Sequence, residues 1–346
     1  MYQQKLLFPS SKTLRLEFLI PSYKRPDSLG RAIFSIALQI QELQLGDRIS
    51  ISIVDDASPN INEVEMNKMI SPFKDFAKFE KNTTNKGMNL NIRDMVAASK
   101  ADFCTVLTDD DHLQPETLRD ILKTLDNLDD EIGSFFVPRY SYLNDKSLHC
   151  IVCSPFNKNM TIKSSPLNSI KYLHNGFILT GLFFKPKLIN FQLWNDNLEN
   201  SFFPIIYFAD LLLKSDCLFL NKNWFVHTVK NKCHWESWGE TEKDIVEKLY
   251  SDYINAVSLS TEKALSRVTS ELITLQILLE EIFLYLKQMN SSKEIIGVAY
   301  IYQLKQSRFT YKLAINIFKV NNMLFIPLKR LAKSTIKYLN KKRNDN

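Results

Sequence analysis

The chain has 346 residues, room for one large domain with a smaller companion or for two ordinary domains. Apolar residues make up 45% and charged residues 24%, with 8 glycines, a globular composition that excludes collagen-like and flexible low-complexity architectures. The net charge of +6 is uneven: Lys305 to Arg343 holds eleven Lys or Arg and no Asp or Glu, which leaves 33 basic and 38 acidic residues elsewhere and points the basic end at an anionic partner, a membrane surface or nucleic acid.

In chain order, the apolar part of Met1–Pro9 is too short for a signal peptide, and no apolar run reaches the ~18 residues of a membrane span, so a cytoplasmic location is the default expectation. Leu14, Leu16, Phe18 and Ile20 alternate with the period of a strand, which ends at Pro21-Ser22-Tyr23-Lys24-Arg25-Pro26. Asp27 or Ser28 then caps a helix with Leu29, Ile33, Ile36, Ala37 and Ile40 on its apolar face. Ile49, Ile51, Ile53 and Val54 predict a second strand ending on Asp55-Asp56. A helix over Asn62–Ile70, a third strand near Phe76–Phe79, a polar stretch around Lys86-Gly87 and a helix through Ile92, Met95 and Val96 follow. A fourth strand, Asp102–Thr108, leads into Asp109-Asp110-Asp111, then a helix over Pro115–Leu128 and a strand over Ile132–Val137.

Residues 138–240 are less regular, with an aromatic segment reaching Asp210 and a Trp-flanked stretch, His234-Trp235-Glu236-Ser237-Trp238. Beyond 240 the pattern is helical, with Ala264, Leu265, Val268, Leu272, Leu275 and Leu279 at three- and four-residue spacing. The expected division is therefore 1–240 and a helical, basic 241–346. Cys104, Cys150, Cys153, Cys217 and Cys233 are scattered; Cys150 and Cys153 have C-x-x-C spacing, but no second pair completes a zinc site, so reduced and mostly buried thiols are expected.

Strand–helix alternation predicts an α/β fold, a mostly parallel sheet with flanking helices, and such sheets bind ligands beyond the carboxyl ends of their strands. Those ends here carry Pro21–Arg25, Asp55-Asp56 and Asp109–Asp111. Three adjacent carboxylates repel one another. Either a divalent cation pairs with them, as Mg²⁺ and Mn²⁺ do with carboxylate and phosphate oxygens, or they form a solvated acidic turn before a helix.

Leu19-Ile20-Pro21-Ser22-Tyr23, Ile53-Val54-Asp55-Asp56-Ala57-Ser58, Asn85-Lys86-Gly87 and Thr108-Asp109-Asp110-Asp111 followed by Pro115 resemble, in order, the motifs of family-2 inverting glycosyltransferases of the GT-A, Rossmann-like fold. The resemblance covers roughly 14–140 well, 170–240 loosely and the tail not at all. It implies a nucleotide-sugar donor, a UDP-sugar first, and Mn²⁺ or Mg²⁺. Pro21 and Tyr23 then match the motif that packs on the base, and Asp56 the acid that reads the base edge. Asp109 matches the nucleoside contact and Asp110 the ligand of the metal on the diphosphate. Asp111 is an alternative ligand, since the motif also reads as Asp109-x-Asp111. Arg93 follows the Asn-x-Gly stretch toward the phosphates.

Inversion needs one base to take the proton of the acceptor hydroxyl. The resemblance suggests Asp210, against which stands a helix-capping or solvated Asp. His234, or His227 in its place, matches a later metal-binding His or is structural. Trp235 and Trp238 stack on an acceptor sugar or pack in a core. The reading that follows is transfer of a sugar to a saccharide or lipid-linked oligosaccharide in surface-polysaccharide synthesis. Residues 305–343 would lie on the anionic inner face of a membrane, or form a solvated helical face. Nucleic-acid binding is not expected, since no binding motif accompanies the charge. The alternatives are a nucleotidyltransferase, for which the early Gly-rich phosphate loop is missing, and a non-catalytic nucleotide-sugar-binding protein.

Overall fold

In the computed structural model, residues 14–143, 148–152, 158–177, 179–229, 251–253 and 255–260 are described. The chain divides into two compact units, Met1–Lys232 and Cys233–Asn346. In the second unit, residues 251–253 and 255–260 are helical, with Ala256 and Val257 buried. His234, Trp235, Trp238, Cys233, the periodic helix from Ala264 and the basic stretch 305–343 lie outside the described residues.

The first unit opens with β1 (Leu16–Ser22), α1 (Pro26–Leu43), β2 (Ile49–Asp55), α2 (Glu63–Ile70), β3 (Ala77–Lys81), α3 (Met88–Ala98) and β4 (Phe103–Val106). After β4 come a short β5 (Asp111–Leu113), α4 (Thr117–Asp126), β6 (Ile132–Phe136), β7 (Arg139–Leu143), β8 (Leu148–Val152) and β9 (Met160–Ile162). Then follow α5 (Pro166–Tyr172), β10 (Leu182–Phe184), α6 (Phe191–Asn195), α7 (Phe203–Lys214), β11 (Asp216–Phe219) and β12 (Phe225–Val229).

An eight-stranded sheet runs β3-β2-β1-β4-β10-β6-β11-β9, and a four-stranded sheet runs β5-β12-β7-β8. In the large sheet β1, β2, β3 and β4 are mutually parallel, β10 lies antiparallel between β4 and β6, β11 is parallel to β6, and β9 closes the edge antiparallel. The sheet is covered on both faces, as parallel strands require. Alternate residues of β1 serve the two cores. Phe18 and Ile20 pack with the apolar stripes of α1, α2 and α4 and with Trp224 and Phe225, whereas Leu19 packs with α3, Trp194 of α6 and the Phe203, Tyr207 and Phe208 ladder of α7.

The predicted helix faces hold at α1, whose buried set contains Leu29, Ile33, Ile36, Ala37 and Ile40. Its start differs from expectation: Arg25 is the capping residue and Pro26 the first helical one, with no side-chain cap bond. Asn62 caps α2 by accepting from Val64 N at 2.9 Å. The helix expected from Pro115 begins at Thr117, because Glu116 adopts a left-handed conformation at φ 62°.

Candidate active site

The carboxyl ends of β1, β2 and β4 lie side by side, with Ser22 in register with Asp55 and Leu19 with Val106. Their loops are tied together by buried carboxylates. Asp55 accepts from Ser58 N at 2.8 Å and Ser58 Oγ at 2.5 Å, and the Ser58 hydroxyl accepts from Lys24 N at 2.7 Å, locking the β1 loop to the β2 loop.

Asp56 performs a second tie. One oxygen accepts from Lys86 N and from Asn82 Nδ2, each at 2.9 Å, and the other from Gly87 N at 2.8 Å. Gly87 stands at φ 82°, where a side chain would be strained, and caps α3. Asp56 therefore holds the Asn85-Lys86-Gly87 turn against β2, and its acceptor capacity is largely spent on that work. Two residues into α3, Asn89 Nδ2 bonds the carbonyls of Leu198 and Asn200, which brings the loop before α7 to this same edge.

The three aspartates have three different environments. Asp109 is buried and accepts from Ser22 Oγ at 3.2 Å, Tyr23 N at 3.3 Å and Arg25 Nη1 at 3.1 Å. Burial pushes its carboxyl up to about 6 and Asp110 adds to the rise, while Arg25, Tyr23 N and Ser22 oppose it. Asp110, 29% exposed in its side chain, meets the same Arg25 nitrogen at 3.0 Å. Asp111 turns the other way: its side chain is 0% exposed, pairs with Arg139 Nη1 at 3.0 and 3.2 Å and accepts from Thr108 Oγ1 at 2.9 Å. Asp111 opens β5 rather than continuing a turn, and the backbone of His227 on β12 lies opposite it.

Pro21 is the last residue but one of β1, within the buried strand and paired with Val54. Tyr23 projects beyond it, 38% exposed, with Lys24 Nζ 4.7 Å from its ring centroid. Its phenol is held below its ordinary value by bonds to Lys24 and then Asn85. An exposed ring at the carboxyl edge beside two carboxylates is a surface on which a flat heterocycle can lie. Arg93 sits on α3, pairs with Asp94 at 2.9 Å, and has a buried Nε with no acceptor among the described residues.

Residues 17–187 match the family model described as Glycosyl transferase family 2. The chain belongs to glycosyl transferase family 2. The match covers every strand end just described, and it decides the class as a glycosyltransferase over the nucleotidyltransferase and non-catalytic alternatives. No curated protein matches this glycosyltransferase at a significant level. Among solved structures, S. aureus TarS 1-349 in complex with UDP-GlcNAc shares 15% identity at TM-score 0.60, covering 85% of this chain and 80% of that one. The same protein in complex with UDP shares 15% identity at TM-score 0.58, covering 93% and 87%. At that identity the likeness shows the shared GT-A-like fold.

Among the described residues no three His, Cys, Asp or Glu side chains are gathered as a set of metal ligands. Asp111 is committed to Arg139, which removes it from the exposed side of the triplet. The donor set that remains, a part-exposed Asp110 beside Asp109, fits a hard cation that takes one or two carboxylates and completes its shell with phosphate oxygens and water. It does not fit an all-protein cage.

Asp210 is not brought to this cluster. The carboxyl end of α7 joins β11 through Ser215, whose hydroxyl crowds Gly133 near the start of β6, so α7 descends from the carboxyl edge to the amino edge of the sheet. Phe208 faces the sheet, its ring centroid 5.6 Å from that of Phe136. Two residues on, about 200° around the helix, Asp210 faces away and pairs with Lys214 at 2.7 Å. The first turn of α7, which does lie at the carboxyl edge, contains no acid.

Arg25 and Arg139 are the site residues that sequence reasoning missed. Each carried a faint signal: both are basic residues within three positions of a strand's carboxyl end.

Proposed function

We propose that the enzyme transfers a sugar, with inversion, from a UDP-sugar to a hydroxyl of a saccharide or lipid-linked oligosaccharide in surface-polysaccharide synthesis. The observation that carries this reading is the grouping of Tyr23, Asp109, Asp110 and Arg25 at the carboxyl edge of a family-2 chain. The UDP and UDP-GlcNAc complexes of the structurally similar TarS support the nucleotide.

In this reading Tyr23 carries the base on its exposed face, and Asp109, fixed by Ser22 and Tyr23 N, meets the nucleoside. Asp110 would hold Mn²⁺ or Mg²⁺ against the diphosphate. Such an ion, when bound, neutralises charge building on the leaving phosphate oxygens. The acceptor oxygen forms its bond to the anomeric carbon as the bond to the β-phosphate oxygen breaks. The bonding pair leaves with UDP, and the acceptor proton passes to a carboxylate.

The sequence suggested Asp210 as that carboxylate. Glu199 suits the step better: it is exposed at the carboxyl edge, in the loop whose Leu198 and Asn200 carbonyls are pinned by Asn89. Residues 305–343 would bring the enzyme to an anionic membrane surface near a lipid-linked acceptor; the tail's removal should then lower binding to phosphatidylglycerol vesicles. The decisive assay is release of UDP from UDP-GlcNAc with a saccharide acceptor and Mn²⁺, with the product anomer assigned by NMR. An inverted product supports the reading. Absence of turnover with every UDP-sugar tried overturns the donor assignment, and a retained anomer overturns inversion.

A further inference from the structure

We propose that Arg25 is an exchangeable cation of the donor site: it closes the Asp109–Asp110 pair in the donor-free enzyme, then releases Asp110 to a divalent cation and turns onto the diphosphate when the donor binds. The inference rests on the nucleotide-sugar reading and adds a residue and an order of events to it.

The acidic triplet contains two Asp–Arg arrangements of opposite character. Arg139 meets both oxygens of Asp111, with side chains 18% and 0% exposed, so that pair is sealed into the fold. Arg25 offers one nitrogen, Nη1, to two separate carboxylates at 3.1 and 3.0 Å, and its side chain is 36% exposed. This is not the two-nitrogen fork that locks an arginine on one carboxylate. Its remaining N–H groups have no acceptor among the described residues. The residue caps α1 through its backbone alone, so its side chain is free to leave without unwinding the helix.

Electrostatics then sets the order. Asp109 and Asp110 carry two negative charges and Arg25 supplies one positive charge. Nη1 occupies the space beside Asp110 Oδ2, so an ion that takes that oxygen must displace a guanidinium that has no other acceptor among the described residues. A nucleoside diphosphate supplies that acceptor, because guanidinium pairs well with phosphate oxygens. Metal and nucleotide should therefore bind with positive coupling, each strengthening the other by the same factor.

The test measures Mn²⁺ binding by electron paramagnetic resonance, and UDP binding by calorimetry, in the full-length wild type, Arg25→Gln, Arg25→Lys and Asp110→Asn, with circular dichroism melts confirming folding. Wild type should bind Mn²⁺ alone weakly and about tenfold or more tightly with UDP, within the usual range of coupling between sites. Arg25→Gln should bind Mn²⁺ alone about tenfold more tightly than wild type, bind UDP more weakly, and lose most of the coupling. Arg25→Lys, which retains the charge, should restore weak binding of Mn²⁺ alone, and Asp110→Asn should bind Mn²⁺ poorly with or without UDP. Unchanged Mn²⁺ affinity and unchanged coupling in Arg25→Gln would overturn the role of Arg25 while leaving the donor site standing. Failure of wild type to bind UDP under any condition would overturn the donor reading and this inference together.

Discussion

Arg139, at the start of β7, reaches Asp111, at the start of β5, with Nη1 3.0 and 3.2 Å from the two carboxylate oxygens. The two strands do not touch each other in the small sheet; β12 lies between them. The ion pair therefore clips β12 from both sides and turns the third acid of the triplet into a structural element. Asp111→Ala should destabilise the protein by roughly 3 kcal/mol, since it removes the fully buried carboxylate of a largely buried ion pair. Equilibrium unfolding of Asp111→Ala and Arg139→Ala checks this, and a change below about 0.5 kcal/mol, typical of a surface pair, would contradict it.

Asp56 is bound to the turn before α3 more than it is open to ligand. Replacing it by Asn should weaken the bonds to Lys86 N and Gly87 N and cost about 2 kcal/mol, the scale of a hydrogen bond to a charged group. Hydrogen exchange at those two amides reports the change directly. Amide protection unaltered in Asp56→Asn would remove Asp56 as the tie.

The proton acceptor is separable by paired substitutions. Glu199→Gln should reduce kcat by at least about a hundredfold, the scale of general-base catalysis, with UDP affinity unchanged. Asp210→Asn should keep most of the wild-type kcat and lose only the pair with Lys214. The reverse pattern in steady-state kinetics would return the base to Asp210.

Asp216 opens β11 and is nearly buried, with Lys163 Nζ at 2.6 Å and Ser164 N at 2.8 Å. Burial alone would raise its carboxyl, but the bonds from Lys163 and Ser164 prevail and hold it below the usual value. A depressed carboxyl contributes stability above its unfolded value of about 3.9 and loses that contribution as pH falls through its folded value. Asp216→Asn should thus lower Tm at pH 7, and the gap to wild type should close below about pH 4. A gap that stays constant from pH 7 to pH 3 would rule out this linkage.

The parallel half of the large sheet was legible because its strands are long enough to show a period: β1 and β2 each span seven residues and end on polar turns. The place of β10 was not legible. It has three residues, too few for a pattern, and pairs with β4 some eighty positions earlier, where nothing local encodes the contact. The same limit hid the small sheet, in which the third aspartate of an apparent turn is the first residue of a strand.

At the site, the sequence located the acids but not their partners. Asp109, Asp110 and Asp111 look alike in a row, and their difference arises from Arg25 and Arg139, supplied from 84 positions before Asp109 and 28 after Asp111. Asp210 shows why a helical pattern does not fix a role. The residue is on the expected helix, but its end of that helix is set by the direction of β11, which only the sheet topology gives.

The central claim, that the exposed part of the triplet binds a nucleoside diphosphate through a cation at Asp110, is tested most directly by thermal unfolding with UDP and Mn²⁺ added singly and together. A ligand that binds only the folded state raises Tm by mass action. The expected result is a clear rise in wild type with both ligands, a smaller one with UDP in EDTA, and its loss in Asp110→Asn, whose own Tm matches wild type. The same rise in Asp110→Asn, or in wild type with EDTA, would contradict the account.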